Sequence, residues 1–243
     1  MKSKRSLFLA ALLAVCLLCA CAGKTEVSPD LEFPGIPWNA SHEEVCEVLG
    51  LDPADYPLTE EGGYYVMSIE GLEVFGQPSM YSHFYFAKYY PPTSDHLGFT
   101  QAQIFYPEDC DKDAVLSALR ETYGPEAQEY TQYEFFTGEP YTYTKEEGYS
   151  RWFSQRVLTD VMADLPEDAA QVLLDSYTTG LSEEDAGNFA ATQPAANVSW
   201  AEDYYKTMLP SLEYLAEENG RVACLSIEGS LAVRGLQMLS AIQ

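Results

Sequence analysis

The sequence has few positive charges. Its 243 residues include 13 Lys and Arg against 38 Asp and Glu, which gives a formal net charge of −25. A field of that sign repels nucleic acid, anionic lipid head groups and other polyanions. Nucleic-acid binding is therefore excluded as a function. Solubility is the simplest explanation of the acidity, and electrostatic steering of a basic partner is the alternative.

Recognised catalytic motifs are also missing. The chain has only three histidines, His42, His83 and His96, and the segment starting at His42 lacks the second histidine of the H-E-x-x-H zinc motif. The patterns G-x-S-x-G and S-x-x-K and the phosphate loop do not occur beyond residue 20. We therefore predict a protein that is not an enzyme, with no catalytic residue, no metal site and no cofactor.

One acidic run resembles a calcium loop without completing it. Asp109, Asp111 and Asp113 alternate, but a loop starting at Asp109 needs Gly at its sixth position and Glu at its twelfth. Those positions hold Ala114 and Arg120. Capping of a helix by acidic residues explains the run better.

Long apolar runs are confined to the start of the chain. A basic segment precedes an apolar core over residues 7–18, which is too short for a comfortable membrane span and ends in Cys19-Ala20-Cys21. This ending resembles a bacterial lipobox, which implies cleavage after Ala20 and lipidation of Cys21. An ordinary secretory signal with incidental cysteines is the alternative. We expect a protein anchored by lipid to the cell membrane or envelope, facing the extracytoplasmic side.

Few cysteines remain after such processing. Cys46, Cys110 and Cys224 are left, so at most one disulfide can form within the chain, and its pairing cannot be read from sequence. None of the three has the spacing of a metal site. Small buried thiols are the favoured interpretation.

The domain organisation follows from these features. Residues 1–20 are predicted to be a lipoprotein signal peptide, 21–33 a polar tether, and 34–243 a single α+β domain. Without the signal peptide the chain has 10 basic and 38 acidic residues, a formal charge of −28. The predicted architecture is an antiparallel meander with helices on one face, and with an additional helical segment in the C-terminal half.

The first part of this domain, 34–125, has the clearest local signals. A helix is predicted from Ser41, with Glu44 completing a capping box, to Gly50. Runs rich in Tyr, Phe, Val and Ile over 64–106 predict three or four antiparallel strands. A second helix is predicted to begin at one of the aspartates of 109–111 and to end at the Gly-Pro pair of 124–125.

The continuation, 126–243, has weaker signals. EYTQYEFF and GYSRWFSQ predict two strands separated by a turn, and RVACLSIEG predicts a final strand. Helices are predicted over 157–180 and from Ser199 to Gly220, with a kink at Pro210. The segment LAVRGLQMLSAI is compatible with a strand or a helix.

A family resemblance is carried by the opening of the domain. Gly35-Ile36-Pro37-Trp38-Asn39-Ala40-Ser41, followed by a helix ending in Leu49-Gly50, resembles small secreted lipoproteins with a fold like the β-lactamase inhibitor protein and the small outer-membrane assembly lipoproteins. The likeness covers about residues 34–125. The chain departs from the pattern at Asn39, where Gly is usual, although Asn tolerates left-handed backbone angles. The resemblance implies a non-catalytic binding module and transfers no binding residue.

Aromatic residues crowd into 130–153. They are explained either by a strand core or by a binding surface, since Tyr and Trp suit both. The hypothetical binding residues are Tyr141, Tyr143, Tyr149 and Trp152. The expected partner is an extracytoplasmic protein, and a basic protein is the alternative that electrostatic steering by the acidic chain offers. A glycan-binding or glycan-processing lipoprotein that uses this Tyr/Trp-rich patch is the alternative, and a purely structural envelope component is the third hypothesis.

Overall fold

The computed structural model describes residues 30–229, apart from 62, 89–95, 135–136, 166, 168–169, 172–173, 175–179, 213–215 and 217–219. The predicted signal peptide, the predicted lipidation site at Cys21 and the segment of undecided structure near the C-terminus therefore lie outside the described residues. Within the described ranges, no helix is both long enough and apolar enough to cross a membrane.

A seven-stranded antiparallel sheet organises the fold, with strand order β1-β2-β5-β6-β11-β10-β9. Two hairpins, β3–β4 and β7–β8, form separate two-stranded sheets. The strands are β1 (Thr59–Glu61), β2 (Tyr64–Glu70), β3 (Glu73–Val74), β4 (Gln77–Pro78), β5 (Tyr81–Lys88), β6 (Leu97–Pro107), β7 (Glu129–Tyr133), β8 (Pro140–Thr144), β9 (Tyr149–Phe153), β10 (Asn197–Ala201) and β11 (Val222–Glu228). The predicted meander and the predicted final strand are confirmed.

Helices frame this sheet. They are α1 (His42–Leu49), α2 (Lys112–Tyr123), α3 (Leu158–Ala163), α4 (Glu183–Thr192) and α5 (Tyr204–Met208), and a 3-10 turn spans Pro210–Leu212. Helix α1 has the predicted capping box of Ser41 and Glu44, and it ends at Gly50 with φ 70°. Asp111 caps α2 through a bond from the Ala114 amide to its Oδ1 of 3.0 Å. Both helix predictions in this part are confirmed.

Helices α1 and α2 cover one face of the sheet, which we call the core face. Cys46 on α1 lies with its Sγ 3.6 Å from Sδ of Met67 on β2, and Leu119 on α2 belongs to the same buried cluster as Phe84 on β5. This cluster runs across the sheet to Trp200 on β10. The α+β class with an antiparallel sheet is thereby confirmed.

The helix predicted from Ser199 to Gly220 is wrong over its first residues. Ser199 and Trp200 lie in the middle of β10, where Trp200 pairs with Leu225 and is 1% exposed. Helix α5 starts only after Asp203, whose side chain accepts a bond from the Lys206 amide. The helical spacing of the apolar residues is real, but burial in the sheet decides the conformation before the cap.

The folded domain also begins earlier than predicted. Leu31 and Phe33, assigned to the tether, are only 3% and 5% exposed and belong to the core. The Trp38 indole donates a hydrogen bond to the Asp30 carbonyl over 2.7 Å, which fixes the entering chain. Two apolar side chains at alternate positions were sufficient to anchor a segment that is otherwise polar.

The C-terminal half contains a small second core. Leu158 on α3 and Phe189 and Ala190 on α4 form it. Of the helix predicted over 157–180, the structure confirms α3, and much of the rest lies outside the described residues. Strand β8 falls in the segment expected to be a turn. Its Tyr and Thr residues favour a strand, it pairs with β7 along its length, and Pro140 occupies only its first position.

Candidate functional site

The sheet face opposite α1 and α2 carries a continuous group of rings, which we call the outer aromatic face. Residues that pair directly across antiparallel strands point to the same side of a sheet. The register therefore places alternate side chains of β2, β5 and β6 on this face, and α5 adds one more. Its members are Tyr64, Tyr81, His83, Tyr85, Phe105 and Tyr204.

Neighbouring rings of this face contact one another, both along β5 and from β5 to the adjacent strands β2 and β6. Tyr81 and His83 are nearly parallel, with an interplanar angle of 3° and centroids 6.4 Å apart. His83 meets Phe105 edge-on at 5.8 Å, and Tyr64 meets Tyr85 edge-on at 5.9 Å. Such edge and offset contacts are favourable ring geometries, so the rings support one another's orientation.

Part of this face is open to solvent. Tyr81 is 46% exposed. Tyr64, His83 and Tyr85 are half-buried. Large apolar or aromatic side chains that remain this accessible are available for contact with another molecule.

Polar groups hold the half-buried rings in place. His83 Nδ1 lies 2.9 Å from Ser68 Oγ, and the Tyr85 hydroxyl donates to Gln103 Oε1 over 3.0 Å. The strands on which these residues lie are firmly paired on both sides. The outer aromatic face is therefore a preorganised surface rather than a flexible one.

Two exposed carboxylates lie on the β1–β2 side of the same face, and the half-buried Glu228 lies on that face at β11. Glu61 on β1 pairs in register with Tyr64, and Glu70 on β2 pairs with Tyr81. Both side chains are exposed, and neither forms an ion pair with any residue that the structure describes. The surface thus combines accessible rings with two carboxylates that have no ion-pair partner among the described residues.

Burial favours the uncharged forms of His83 and Tyr85. Desolvation lowers the pKa of His83, with the nearby Glu61 carboxylate acting weakly in the opposite direction. Desolvation, and secondarily Glu61, raises the pKa of Tyr85 to about 12. The net charge in this part of the face therefore comes from the two glutamates.

Helix α5 closes one side of the face. The Tyr204 ring meets Phe105 edge-on, with centroids 5.3 Å apart and planes at 90°. Cys224 on β11 pairs in register with Phe105 and is 3% exposed. The open area is thus the half formed by β1, β2 and β5.

The four residues predicted as a binding surface do not form one. Tyr141 is 44% exposed and Tyr149 is half-buried, but Tyr143 is 4% and Trp152 2% exposed. Trp152 lies on the core face, where its indole donates to the Gly124 carbonyl over 2.8 Å. The prediction is wrong for Trp152, which alternation along β9 places on the face opposite to Tyr149. It is also wrong for Tyr143, which shares a face of β8 with Tyr141 but packs against Tyr149 and Phe153.

One of the predicted tyrosines, Tyr143, instead lies beside an arginine and packs against Tyr149. Tyr143 and Tyr149 meet edge-on at 6.2 Å. The Arg151 guanidinium carbon lies 5.6 Å from the Tyr143 ring centroid and 4.7 Å from that of Phe153. This is a cation–π arrangement, so these faces of the Tyr143 and Phe153 rings are covered by Arg151 and are not available to a ligand.

A groove of about 580 Å³ lies beside β9 on the other side of the sheet. Leu31, Tyr123, Tyr130, Trp152 and Phe153 line it together with small and neutral polar residues. None of the described residues that line it is charged. It is the place where Trp152 comes nearest to a surface, but it offers few polar groups that would orient a ligand.

The described residues contain no group of three or more His, Cys, Asp and Glu side chains that could hold a metal ion. Cys46, Cys110 and Cys224 are free thiols, and burial raises the pKa of each. None is therefore activated as a thiolate nucleophile. The absence of a cofactor and of catalysis stays a prediction.

Sequence reasoning missed the outer aromatic face, although a signal for it exists. In the β5 sequence YSHFYFAK, amphipathic rings at 81, 83 and 85 alternate with Ser82, Phe84 and Phe86. This period of two marks opposite faces of one strand.

In comparisons with known proteins, no protein-family model, no curated protein and no solved structure matches the chain.

Proposed function

We propose that the protein is a non-catalytic lipoprotein of the cell envelope, anchored through Cys21, whose α+β domain binds a protein partner on the extracytoplasmic side. The observation that carries this proposal is the outer aromatic face, with Tyr81 46% exposed at its open edge. The N-terminal pattern of basic segment, apolar core and Ala20-Cys21 supports the location.

The composition of the face suits a protein interface. Aromatic residues and Met are enriched at the centres of such interfaces, and a few of them supply most of the binding energy. Tyr81 is accessible, and the half-buried Tyr85 extends the same surface. We expect these side chains to be the anchors of the complex.

The rigidity of the face supports the same function. Its rings lie on strands, and hydrogen bonds to Ser68 and Gln103 orient two of them. A surface that is ordered before binding loses less side-chain entropy on association. The ordered rings of this face therefore favour a role in binding.

A glycan ligand is the second candidate. Sugar rings stack on Tyr faces, and the amide of Gln103 and hydroxyl of Ser68 lie among the rings. Since Trp152 is buried, a glycan would bind at the outer aromatic face or at Tyr141 rather than at the patch expected from the sequence. A neutral glycan would bind with little dependence on salt, unlike a charged protein.

Site-specific photo-crosslinking in living cells tests the proposal. The full-length protein would carry p-benzoylphenylalanine in place of Tyr81 or, as the matched control, in place of Tyr141, which is 44% exposed. We expect one discrete protein adduct from position 81 and none from position 141. Equal adducts from both positions, or none from either, would contradict a protein-binding role for the outer aromatic face.

The anchor is tested separately by Cys21→Ser. If Cys21 is lipidated, this variant leaves the membrane fraction while the parent protein stays in it. A variant that remains in the membrane fraction would remove the lipoprotein part of the proposal and leave the binding surface untouched.

A further inference from the structure

We infer that the segment docking on the outer aromatic face is a cationic stretch of polypeptide, extended in conformation and carrying Lys or Arg. This inference rests on the proposed function and specifies the chemistry of its partner. Three features of the face lead to it: its unpaired carboxylates, its accessible rings, and the distance between the carboxylates.

The carboxylates are the first feature. Glu61 and Glu70 are exposed on this face and have no ion-pair partner among the described residues. Glu126, by contrast, forms ion pairs with both Arg120 and Lys145 within the domain. A partner that brings two cations would complete the outer face in the same way.

The rings are the second feature. Glu70 pairs in register with Tyr81, so an accessible aromatic face lies beside an unpaired carboxylate. A Lys or Arg at this position gains a charge pair and a ring contact together. The domain already uses the same chemistry internally, where Arg151 lies over the rings of Tyr143 and Phe153.

The spacing is the third feature. Glu61 lies opposite Tyr64 at one end of β2, and Glu70 is the last residue of that strand, six positions further on. At about 3.3 Å per residue, the two carboxylates are roughly 20 Å apart along the strand. An extended peptide spans this separation with six residues, whereas a helix needs about thirteen, so an extended segment is the shortest one that reaches both carboxylates.

Calorimetric titration of the full-length protein in detergent with a synthetic peptide tests the inference. The probe is a twelve-residue Ser/Thr-rich peptide with two arginines six positions apart, and the comparison peptide has the same composition with glutamates in place of the arginines. We expect the arginine peptide to bind and the glutamate peptide not to bind. A protein that binds neither peptide at low salt would overturn the inference.

Matched variants separate the face from the general acidity of the chain. The double variant Glu61→Gln/Glu70→Gln should weaken arginine-peptide binding roughly tenfold, since two exposed charge pairs contribute about 1.4 kcal/mol together. Glu43→Gln/Glu47→Gln on α1 removes the same charge from exposed positions and should change binding less than about twofold. Equal losses in both double variants would mean nonspecific attraction and would overturn the inference.

The ring contribution has its own matched pair. Tyr81→Ala should weaken arginine-peptide binding about fivefold, and Tyr141→Ala should leave it unchanged. Identical behaviour of the two variants would contradict docking on the outer aromatic face.

Failure of this inference is distinguishable from failure of the proposed function. A partner that crosslinks from position 81 in cells, with equal yield in the Glu61→Gln/Glu70→Gln background, would keep the binding function and refute a cationic docking segment. Absence of any crosslink from position 81 would refute the binding function itself, whatever the peptide does.

Discussion

Strand β5 supplies residues to both faces of the sheet, and the two sets differ in chemistry. Phe84 and Phe86 point to the core face and are fully buried, whereas Tyr81 and His83 point to the outer face and keep part of their surface accessible. Alternate residues of one strand can therefore stabilise the core and form a recognition surface. Substitutions on β5 should therefore separate the two properties position by position.

The largest expected effect belongs to the core face. Phe84→Ala removes a fully buried ring that contacts both Phe33 and Phe99, and it should lower the free energy of unfolding by about 3–5 kcal/mol. Urea unfolding followed by circular dichroism measures this value. A loss below about 1 kcal/mol would show that the core face is not tightly packed at Phe84, and would contradict the assignment of the stabilising role to this face of β5.

A smaller effect is expected from a carboxylate that serves stability. Glu126, with a side chain 7% exposed, accepts two hydrogen bonds from Arg120 at 2.7 and 2.8 Å and pairs with Lys145. Because both partners are partly exposed, Glu126→Gln should cost about 1–2 kcal/mol at pH 7. Urea unfolding measures this loss, and Glu61→Gln, which breaks no pair, is the control.

The same carboxylate should make stability depend on pH. Its Arg120 partner holds the pKa of Glu126 far below its ordinary value of 4.5. The stabilisation is therefore complete above about pH 4.5 and is lost as the pH falls below that value, when the unfolded state takes up the proton first. The difference between wild type and Glu126→Gln should shrink from pH 6 to pH 3, and a constant difference would contradict the assignment.

Near-zero effects on stability are expected on exposed rings. Tyr81→Ala and Tyr141→Ala should each change the free energy of unfolding by less than about 0.5 kcal/mol, because both side chains leave nearly half of their surface in water. Urea unfolding checks both. A loss above about 2 kcal/mol for Tyr81→Ala would show that the outer aromatic face is a second core, and the two faces would no longer differ in role.

The smallest expected effect concerns the electrostatics of the outer face. Burial already lowers the pKa of His83, and Glu61 opposes that shift. Glu61→Gln should therefore lower the pKa of His83 further, because removing a nearby negative charge disfavours the imidazolium. Histidine resonances followed by NMR over pH 4–8 report the change, and Glu47→Gln should leave it unaffected.

Local signals predicted the fold well wherever the structure is local. Ser41, Glu44 and Gly50 marked both ends of α1 because capping depends on residues within one turn. Ser199 and Trp200 were misassigned because their conformation is set by pairing with β9 and β11, which are distant in sequence. Helical spacing alone carries no information about such partners.

The candidate site was less accessible to prediction. Aromatic density pointed to residues 130–153, but density does not show which rings are covered, and Trp152 proved to belong to the core. The alternation in β5 was visible in the sequence, yet the burial of each face depends on where α1 and α2 pack. Tyr204 could not be assigned to the outer face without the position of α5.

The placement of β11 determines when the sheet can be completed. Ile104 on β6 pairs with Leu225 on β11, more than a hundred positions further along the chain. The ribosome therefore releases β6 long before its neighbour exists, and an unpaired strand edge of this kind invites association with other chains. A chain interrupted before residue 222 would lack the strand that joins β6 to β10, so folding of the whole sheet has to follow translation.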